Sequence, residues 1–281
     1  MTATISSAKT HLPPTQVARD TFVIHDHVGE GVAPAIVPVN SMLIRGAEPV
    51  VVDTGLAANG DGFFADLFAL VEPEDIRWVF VSHDDIDHTG NIDELMELAP
   101  NATLVVNWFL QERLGPTLSV SPLRQRWVGD NEVLDAGDRR LVAVRPPVYD
   151  SPTTRGLYDT TTGVYWASDA FGTPVETPTR DAAELSPEMF EMGVATFSRY
   201  LAPWLEIADP ARYDMSVDRV AALAPSVIAG CHGPIVSGRL VDRAIEVTRT
   251  APTAPILPQP DQQALEAIQQ QILSVQDEPI C

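Results

Sequence analysis

The apolar residues of this chain follow two kinds of pattern. Short apolar or alternating runs predict β-strands at residues 22–24, 41–44, 50–52, 77–81, 103–106, 141–144, 163–167 and 227–229. Apolar residues at helical spacing predict helices at residues 63–71, 92–98, 189–205, 217–223 and 241–247. Strands come first, alternate with helices, return at about 138–168 and give way to helices around one last strand. This order suits two sheets enclosed by helices.

One compact domain is predicted for residues 1–250, followed by a tail at 251–281. Residues 249–263 read RTAPTAPILPQPDQQ, and their prolines remove backbone donors and disfavour helix. Beyond them, residues 261–275 have a helical pattern with Leu265, Ile268 and Ile272 on one side. We therefore expect a linker and a short tail helix that docks on the body or on a partner.

Composition excludes several classes of protein. With 45% hydrophobic and 20% charged residues, a chain of 281 residues can bury a sizeable core. Its formal charge of -21 argues against binding to nucleic acid or to an anionic membrane, since both require clustered Lys and Arg. No signal sequence and no transmembrane run stands out. Only Cys231 and Cys281 are present, which fits a reducing compartment, and we expect a cytoplasmic protein. The sequence leaves the oligomeric state open.

The candidate chemistry lies in the segment His83-Asp84-Asp85-Ile86-Asp87-His88. It follows a predicted strand that ends at Ser82 and precedes a helix near Asn91, which with Glu94 resembles a capping box. Carboxylates gathered on a loop that leaves the core repel one another, and a metal ion supplies the missing positive charge. A solvated acidic loop with packing histidines is the alternative, but strand, ligand loop and helix occur in the order that a metal motif requires.

His83-x-Asp85-x-Asp87-His88 resembles the metallo-β-lactamase superfamily signature, usually HxHxDH, with Asp85 in place of the second His. The flavodiiron proteins and their oxygen-binding relatives in that superfamily have HxExDH, with a carboxylate at this position. Further segments are similar to the family over most of the first 240 residues: Asn40-Ser41, Val50 to Gly55, Asp169-Ala170-Phe171-Gly172, Phe197 to Ala202 and Gly230 to Ile235. The resemblance implies an α/β fold, the four-layer αββα sandwich of the metallo-β-lactamases.

The resemblance also implies a ligand set for two metal ions. Asp169 matches the bridging carboxylate and His232 the last His ligand, while Asp150 stands where a third His is expected, unless Tyr149 or water fills that place. One metal would be held by His83, Asp85, Asp150 and Asp169, and the other by Asp87, His88, Asp169 and His232. Such oxygen-rich ligation favours iron, with manganese or zinc as alternatives.

Three functions follow as expectations from this resemblance. The first is a non-haem diiron protein that binds or activates dioxygen as an oxidoreductase or as an oxygenase on a small molecule; a carboxylate at the third His position occurs in a diiron monooxygenase branch of the superfamily. Because the chain ends in a proline-rich tail, we expect no flavodoxin domain, and turnover would need an external electron donor. The second is a diiron oxygen sensor without turnover. The third is a dinuclear zinc hydrolase of ester or amide bonds, in which Asp87 positions the nucleophile.

Overall fold

The computed structural model describes residues 10–30 and 35–276. Its strands are β1 (Thr15–Ala18), β2 (Thr21–Ile24), β3 (His27–Val28), β4 (Val37–Pro38), β5 (Ser41–Ile44), β6 (Val50–Val52), β7 (Trp78–Phe80), β8 (Thr103–Val106), β9 (Gln125–Trp127), β10 (Val133–Asp135), β11 (Arg140–Val144), β12 (Gly156–Asp159), β13 (Val164–Trp166), β14 (Val227–Ala229) and β15 (Val236–Ser237). Its helices are α1 (Gly60–Phe68), α2 (Ile86–Thr89), α3 (Ile92–Leu98), α4 (Trp108–Leu114), α5 (Pro187–Leu201), α6 (Pro210–Ala221), α7 (Arg239–Arg249) and α8 (Gln262–Gln276).

Two mixed sheets form the centre of the fold. The first has the strand order β1-β2-β5-β6-β7-β8-β9, antiparallel as far as β6 and parallel from β6 to β9. The second has the order β10-β11-β12-β13-β14-β15, antiparallel except for the parallel pair β13 and β14. The short strands β3 and β4 pair with each other. Each sheet therefore contains neighbouring parallel strands whose carboxyl ends lie at the same edge.

Alternation along the strands divides the buried residues among three cores. Met42 and Ile44 of β5 face the second sheet, whereas Leu43 between them faces the helices α1, α3 and α4. In the second sheet, Trp166 of β13 faces the first sheet and Tyr165 faces α5, α6 and α7. The layers are thus helix, sheet, sheet and helix, which confirms the predicted αββα sandwich.

All the predicted strands are present, although some are shorter than expected. The sequence missed short strands with mixed polarity, such as β9 and β12, which are defined by pairing rather than by an apolar run. The predicted helix 189–205 ends at Leu201 because Pro203 follows it. The capping box predicted at Asn91 is wrong: its side-chain amide donates to the carbonyls of Thr54 and Leu56 instead.

After α7, a turn at Ala251–Thr253 places the fully buried Ala251 in the core between the second sheet and its helices. The helix predicted at 261–275 is α8, and Leu265 and Ile268 are each 47% exposed on it. The side chain of Ile272 and residue Cys281 lie outside the described residues. The domain boundary at residue 250 stays a prediction. None of the helices in the described ranges is both long and apolar enough to cross a membrane.

Candidate metal centre

The carboxyl ends of four strands bring the candidate ligands together. Residues 53–55 follow β6, residues 83–88 follow the neighbouring β7, and residues 168–169 and 230–232 follow β13 and β14 of the other sheet. Within each sheet the two strands are parallel, so the segments that follow them emerge at one edge. A hydrogen bond from the Asn40 amide to the Cys231 carbonyl, 2.9 Å long, joins the sheets there. The centre therefore lies between the sheets at one end.

His83 and Asp169 form the buried side of the centre. The His83 ring is fully buried, and its Nε2 lies 3.3 Å from Asp169 Oδ1 and 3.9 Å from Asp85 Oδ2. On the other side of the ring, Nδ1 lies 2.9 Å from Ser82 Oγ and 3.1 Å from Ser168 Oγ. Ser82 Oγ donates its hydrogen to Asp53, so it accepts a hydrogen bond from Nδ1–H of His83. This arrangement leaves the Nε2 lone pair directed at the two carboxylates.

A second group of ligand atoms, those of Asp87, His88 and His232, completes the centre. Nε2 of His88 lies 3.3 Å from Asp87 Oδ2 and 3.2 Å from Nε2 of His232. His232 Nε2 also lies 3.6 Å from Asp87 Oδ2 and 3.5 Å from Asp169 Oδ1. Nδ1 of His232 donates to the Pro38 carbonyl at 2.9 Å, which fixes its tautomer as well. Asp169 Oδ1 is thus shared between the two groups, as a bridging ligand requires.

The chemistry of these atoms fits metal ions. Three buried atoms, His83 Nε2 and both carboxylate oxygens of Asp169, have no hydrogen bond among the described residues. A buried polar atom without a hydrogen bond destabilises the folded protein by about 1–3 kcal/mol, and a bound metal ion would remove this destabilisation. Ligand atoms of Asp87, His88 and His232 lie within 4.8 Å of one another, and so do those of His83, His88, Asp169 and Cys231. The two overlapping groups suit a pair of ions.

Without metal, a proton on His88 balances part of the negative charge of the centre. Burial by itself would lower the pKa of His88, but its hydrogen bond with Asp87 and the charges of Asp53, Asp87 and Asp169 raise the pKa to about 9. Burial opposes ionisation of Asp87, yet the bond to His88 and the charges of His88 and His232 hold its pKa well below the usual range. Burial lowers the pKa of His232. Metal binding must therefore displace a proton from His88.

Asp150 and Asp85 lie at the exposed rim of the first group. Burial, followed by the charge of Asp169, raises the pKa of Asp150, and Asp85 adds to the effect. Burial likewise raises the pKa of Asp85, with the charges of Asp169 and Asp87 adding to it. These carboxylates therefore lie close enough to influence each other's ionisation, but neither belongs to the two groups of atoms within 4.8 Å of one another described above. The Tyr149 ring instead packs on Trp204, with centroids 5.0 Å apart, and under a guanidinium group, that of Arg145.

Asp53 organises the base of the centre, a role that the sequence did not assign to it. Its carboxylate accepts hydrogen bonds from the Ser82 amide at 2.6 Å, Ser82 Oγ at 2.7 Å, Trp166 Nε1 at 3.0 Å and Cys231 Sγ at 3.4 Å. Burial and the Asp53 charge raise the pKa of the Cys231 thiol, which keeps it protonated. The sequence signal was the turn Asp53-Thr54-Gly55, which indicated only the fold.

Sequence reasoning also assigned no role to Asp84, which lies between the candidate ligands His83 and Asp85. Its carboxylate accepts hydrogen bonds from Thr153 Oγ1 at 2.5 Å, Ser151 Oγ at 3.2 Å and Arg113 at 3.0 Å. Burial by itself would raise the pKa of Asp84, but the bonds from Thr153 and Arg113 outweigh it and lower the pKa. No local sequence pattern indicates this role, because the partners lie 29 to 69 positions away.

Comparisons with known proteins identify the family and the fold of the chain. The family model described as the metallo-beta-lactamase superfamily matches residues 35–180. A putative diflavin flavoprotein A 2 of Synechocystis sp. is 28% identical over 243 residues, which are 84% of this chain and 39% of that protein. The flavodiiron protein of Giardia intestinalis superposes with a TM-score of 0.74 at 17% identity, over 87% of this chain and 60% of that one.

The rubredoxin oxygen:oxidoreductase of Desulfovibrio gigas gives a TM-score of 0.73 at 16% identity, over 85% of this chain and 61% of that one. At these identities the superpositions show the fold alone. The chain spans about half or less of the length of the first curated relatives that it matches.

Proposed function

The chain belongs to the metallo-β-lactamase superfamily and carries the side chains of a dinuclear metal centre, and from this premise we propose that its two metals are iron and that it binds and reduces or activates dioxygen. One metal would be held by His83, Asp85, Asp150 and Asp169, and the other by Asp87, His88, Asp169 and His232. Homologues and structural neighbours among flavoproteins and flavodiiron proteins support this branch of the superfamily.

The observation that carries the proposal is the number of carboxylates around three imidazoles. By the motif resemblance, Asp85 and Asp150 stand at positions where the usual superfamily ligand set has histidines, and each interacts with Asp169 through its charge. Oxygen ligands favour iron or manganese, whereas zinc sites use more His and Cys. Four carboxylates also balance the charge of two divalent ions. These ligands are thus suited to two metal ions that change their oxidation state.

The residues of the chain have distinct tasks in this proposal. When bound, a diiron pair supplies electrons to dioxygen. Ser82 and Ser168 hold the His83 ring in one tautomer, and the Pro38 carbonyl does the same for His232. Asp169, 1% exposed, keeps a negative charge in the dry part of the centre. Asp87 is ionised and lies close to both His88 and His232, so its carboxylate can accept a hydrogen bond from a molecule bound next to them.

Access to the centre is from the side of the metal-binding loop. The Asp85 side chain is 49% exposed and Ile86 is 79% exposed, whereas His83 is fully buried. A small molecule can therefore approach the first group of ligands past Asp85. Reduction of dioxygen consumes electrons, and the proposal assigns their supply to a donor outside these 281 residues or to a reducing substrate. The structural neighbour from Desulfovibrio gigas, a rubredoxin oxygen:oxidoreductase, supports an activity of this class.

Metal analysis combined with spectroscopy tests the proposal. Protein from cells grown with balanced iron, manganese and zinc should contain about two irons per chain. Its near-ultraviolet absorption should include a band of the diferric pair that disappears on anaerobic reduction and returns with air. The matched control is Asp169→Ala, which should contain neither ion. A colourless protein with two zinc ions would contradict the proposal and favour a dinuclear hydrolase.

Oxygen uptake then separates an enzyme from a sensor. With an excess of chemical reductant, an oxidoreductase consumes oxygen continuously, whereas a sensor consumes a single stoichiometric amount and stops. The Asp150→Ala variant serves as the control, because loss of one site should abolish continuous uptake while leaving the fold intact. Uptake that stops after one equivalent in the intact protein would overturn the enzyme assignment and keep the metal centre.

A further inference from the structure

The segment 150–155 lies between β11 and β12 and carries Asp150. Hydrogen bonds join it to residues that follow β7 and β8 of the first sheet. Asp84 accepts hydrogen bonds from Thr153 Oγ1 at 2.5 Å and from Ser151 Oγ at 3.2 Å. The Arg155 amide donates to the Ser82 carbonyl at 2.7 Å, and the side-chain amide of Asn107 donates to the Thr153 carbonyl. This segment therefore depends on the other sheet for its position.

Asp84 accepts two of these hydrogen bonds. Its side chain is 12% exposed, and Arg113 of α4 donates to its Oδ2 at 3.0 Å and to Ser151 Oγ at 2.9 Å. The Ser151 hydroxyl has one hydrogen and lies 2.8 Å from Thr153 Oγ1, so it donates either to Thr153 or to Asp84. The two hydroxyls, the carboxylate and the guanidinium thus form one connected network. Hydrogen bonds to an ionised carboxylate are about twice as strong as those between neutral groups. The bonds to Asp84 are therefore the strongest that hold segment 150–155 in place.

Asp150 itself is weakly held. Its residue is exposed, and its carboxylate accepts a hydrogen bond from Thr154 Oγ1 at 3.3 Å, which is long for a hydroxyl donor. Asp has a shorter side chain than the His that the superfamily has at this place, so its oxygen reaches an ion only if the backbone is held close. The position of the Asp150 carboxylate therefore depends on the backbone of segment 150–155 more than on contacts of its own side chain.

We propose that Asp84 is a positioning residue that, through Thr153 and Ser151, holds segment 150–155 so that the Asp150 carboxylate completes the metal site of His83 and Asp85. The proposal rests on the dinuclear function proposed above and adds to it a residue between two ligands that does not itself bind metal. In this arrangement His83 and Asp85 face the centre, while Asp84 faces the opposite way and holds the segment that bears the fourth ligand.

Anaerobic titration of the metal-free protein with ferrous iron tests the proposal. Thr153→Val keeps the side-chain shape but removes the donor to Asp84, and Asp84→Ala removes the acceptor. Both should leave one binding step unchanged and weaken the other by about 10–100-fold, the range for residues that orient metal ligands. Thr153→Ser keeps the hydroxyl and should bind like the parent protein. Glu97→Gln, a change at an exposed carboxylate on α3, is the control for charge.

A cycle with Asp150→Ala shows whether Asp84 acts through Asp150. In the Asp150→Ala background, Thr153→Val should cause no further loss of iron affinity, because the ligand that it positions is already missing. An additional loss in that background, or equal weakening of both steps in Thr153→Val, would overturn the positioning role while the dinuclear function stands. If the parent protein fails to take up two ferrous ions, the proposed function and this inference both fall.

Discussion

Asp169→Asn replaces the carboxylate between His83 and His232 with an amide of the same shape. Asp169 Oδ1 lies 3.3 Å from Nε2 of His83 and 3.5 Å from that of His232, so the change removes a charged ligand from both metal sites at once. Asp169 is also the least accessible of the candidate ligand carboxylates, with 1% of the residue exposed, so water does not compensate for the loss of its charge. We expect the variant to lose both ions.

The size of the effect follows from the linkage between binding and folding. At free metal of about 100 times Kd, each ion stabilises the folded state by about 2.7 kcal/mol, so two ions give about 5 kcal/mol. For 281 residues the unfolding entropy is about 0.6 kcal/mol per kelvin near the midpoint, which converts this to a rise in Tm of about 9 °C. The Asp169→Asn variant should show a rise near zero.

Differential scanning calorimetry of each protein, with ferrous iron under argon and then with chelator, measures this rise. Comparing the two states of the same variant cancels any change that the substitution makes to the metal-free fold. Asp150→Ala is the matched control, since it removes a carboxylate from one site and should keep about half of the rise. A metal-dependent rise in Asp169→Asn equal to that of the parent protein would refute the assignment of Asp169 as the bridging ligand.

Three other outcomes are expected. Asp150→Ala should reduce the metal content from about two ions to about one per chain; unchanged content, measured by elemental analysis, would assign the ligand to Tyr149 or water. In the metal-free protein the pKa of His88 is raised from 6.5 to about 9, so iron affinity measured by titration should rise about tenfold per pH unit from neutral pH to about 9 and then level off. The same proton stabilises the metal-free fold below pH 6.5, and this stability should be lost as the pH rises through 9; a flat profile would contradict the proton assigned to His88. Gly90→Ala should destabilise the chelated protein by about 1–3 kcal/mol in urea, because an added Cβ would lie 2.2 Å from the Ala57 amide nitrogen, whereas Gly62→Ala in α1 meets nothing within 4 Å and should stabilise it by about 0.4–1 kcal/mol; equal effects would show that the Gly90 backbone can move aside.

Local pattern was sufficient for most of the strands and for the position of the candidate ligand loop. The apolar run of β7 and the polar segment after it predicted a strand followed by a ligand loop, since both signals extend over a few consecutive residues. The same reasoning failed at Asn91, whose side chain is a capping group in isolation but bonds to Thr54 and Leu56 in the fold. A competing partner that is distant in the sequence decided that case.

Distances between ligands could not be read from the chain in the same way. The sequence placed Asp87 and His232 145 positions apart, and only the neighbouring ends of the two sheets bring their ligand atoms to 3.6 Å. The same holds for Asp53, whose carboxylate is directed by its positive φ of 59° toward Ser82 and Trp166. Packing between sheets, not local propensity, set these contacts.

The residue types alone determined that this chain carries imidazoles and carboxylates in a metal-binding order, because a short loop between a strand and a helix fixes their order and spacing. The tertiary structure decided which of them share a carboxylate oxygen, which tautomer each His adopts and what holds Asp150 in place. Those properties depend on hydrogen bonds between distant segments, such as the bond from Thr153 to Asp84, and a sequence pattern contains no information on contacts that only the packed sheets create.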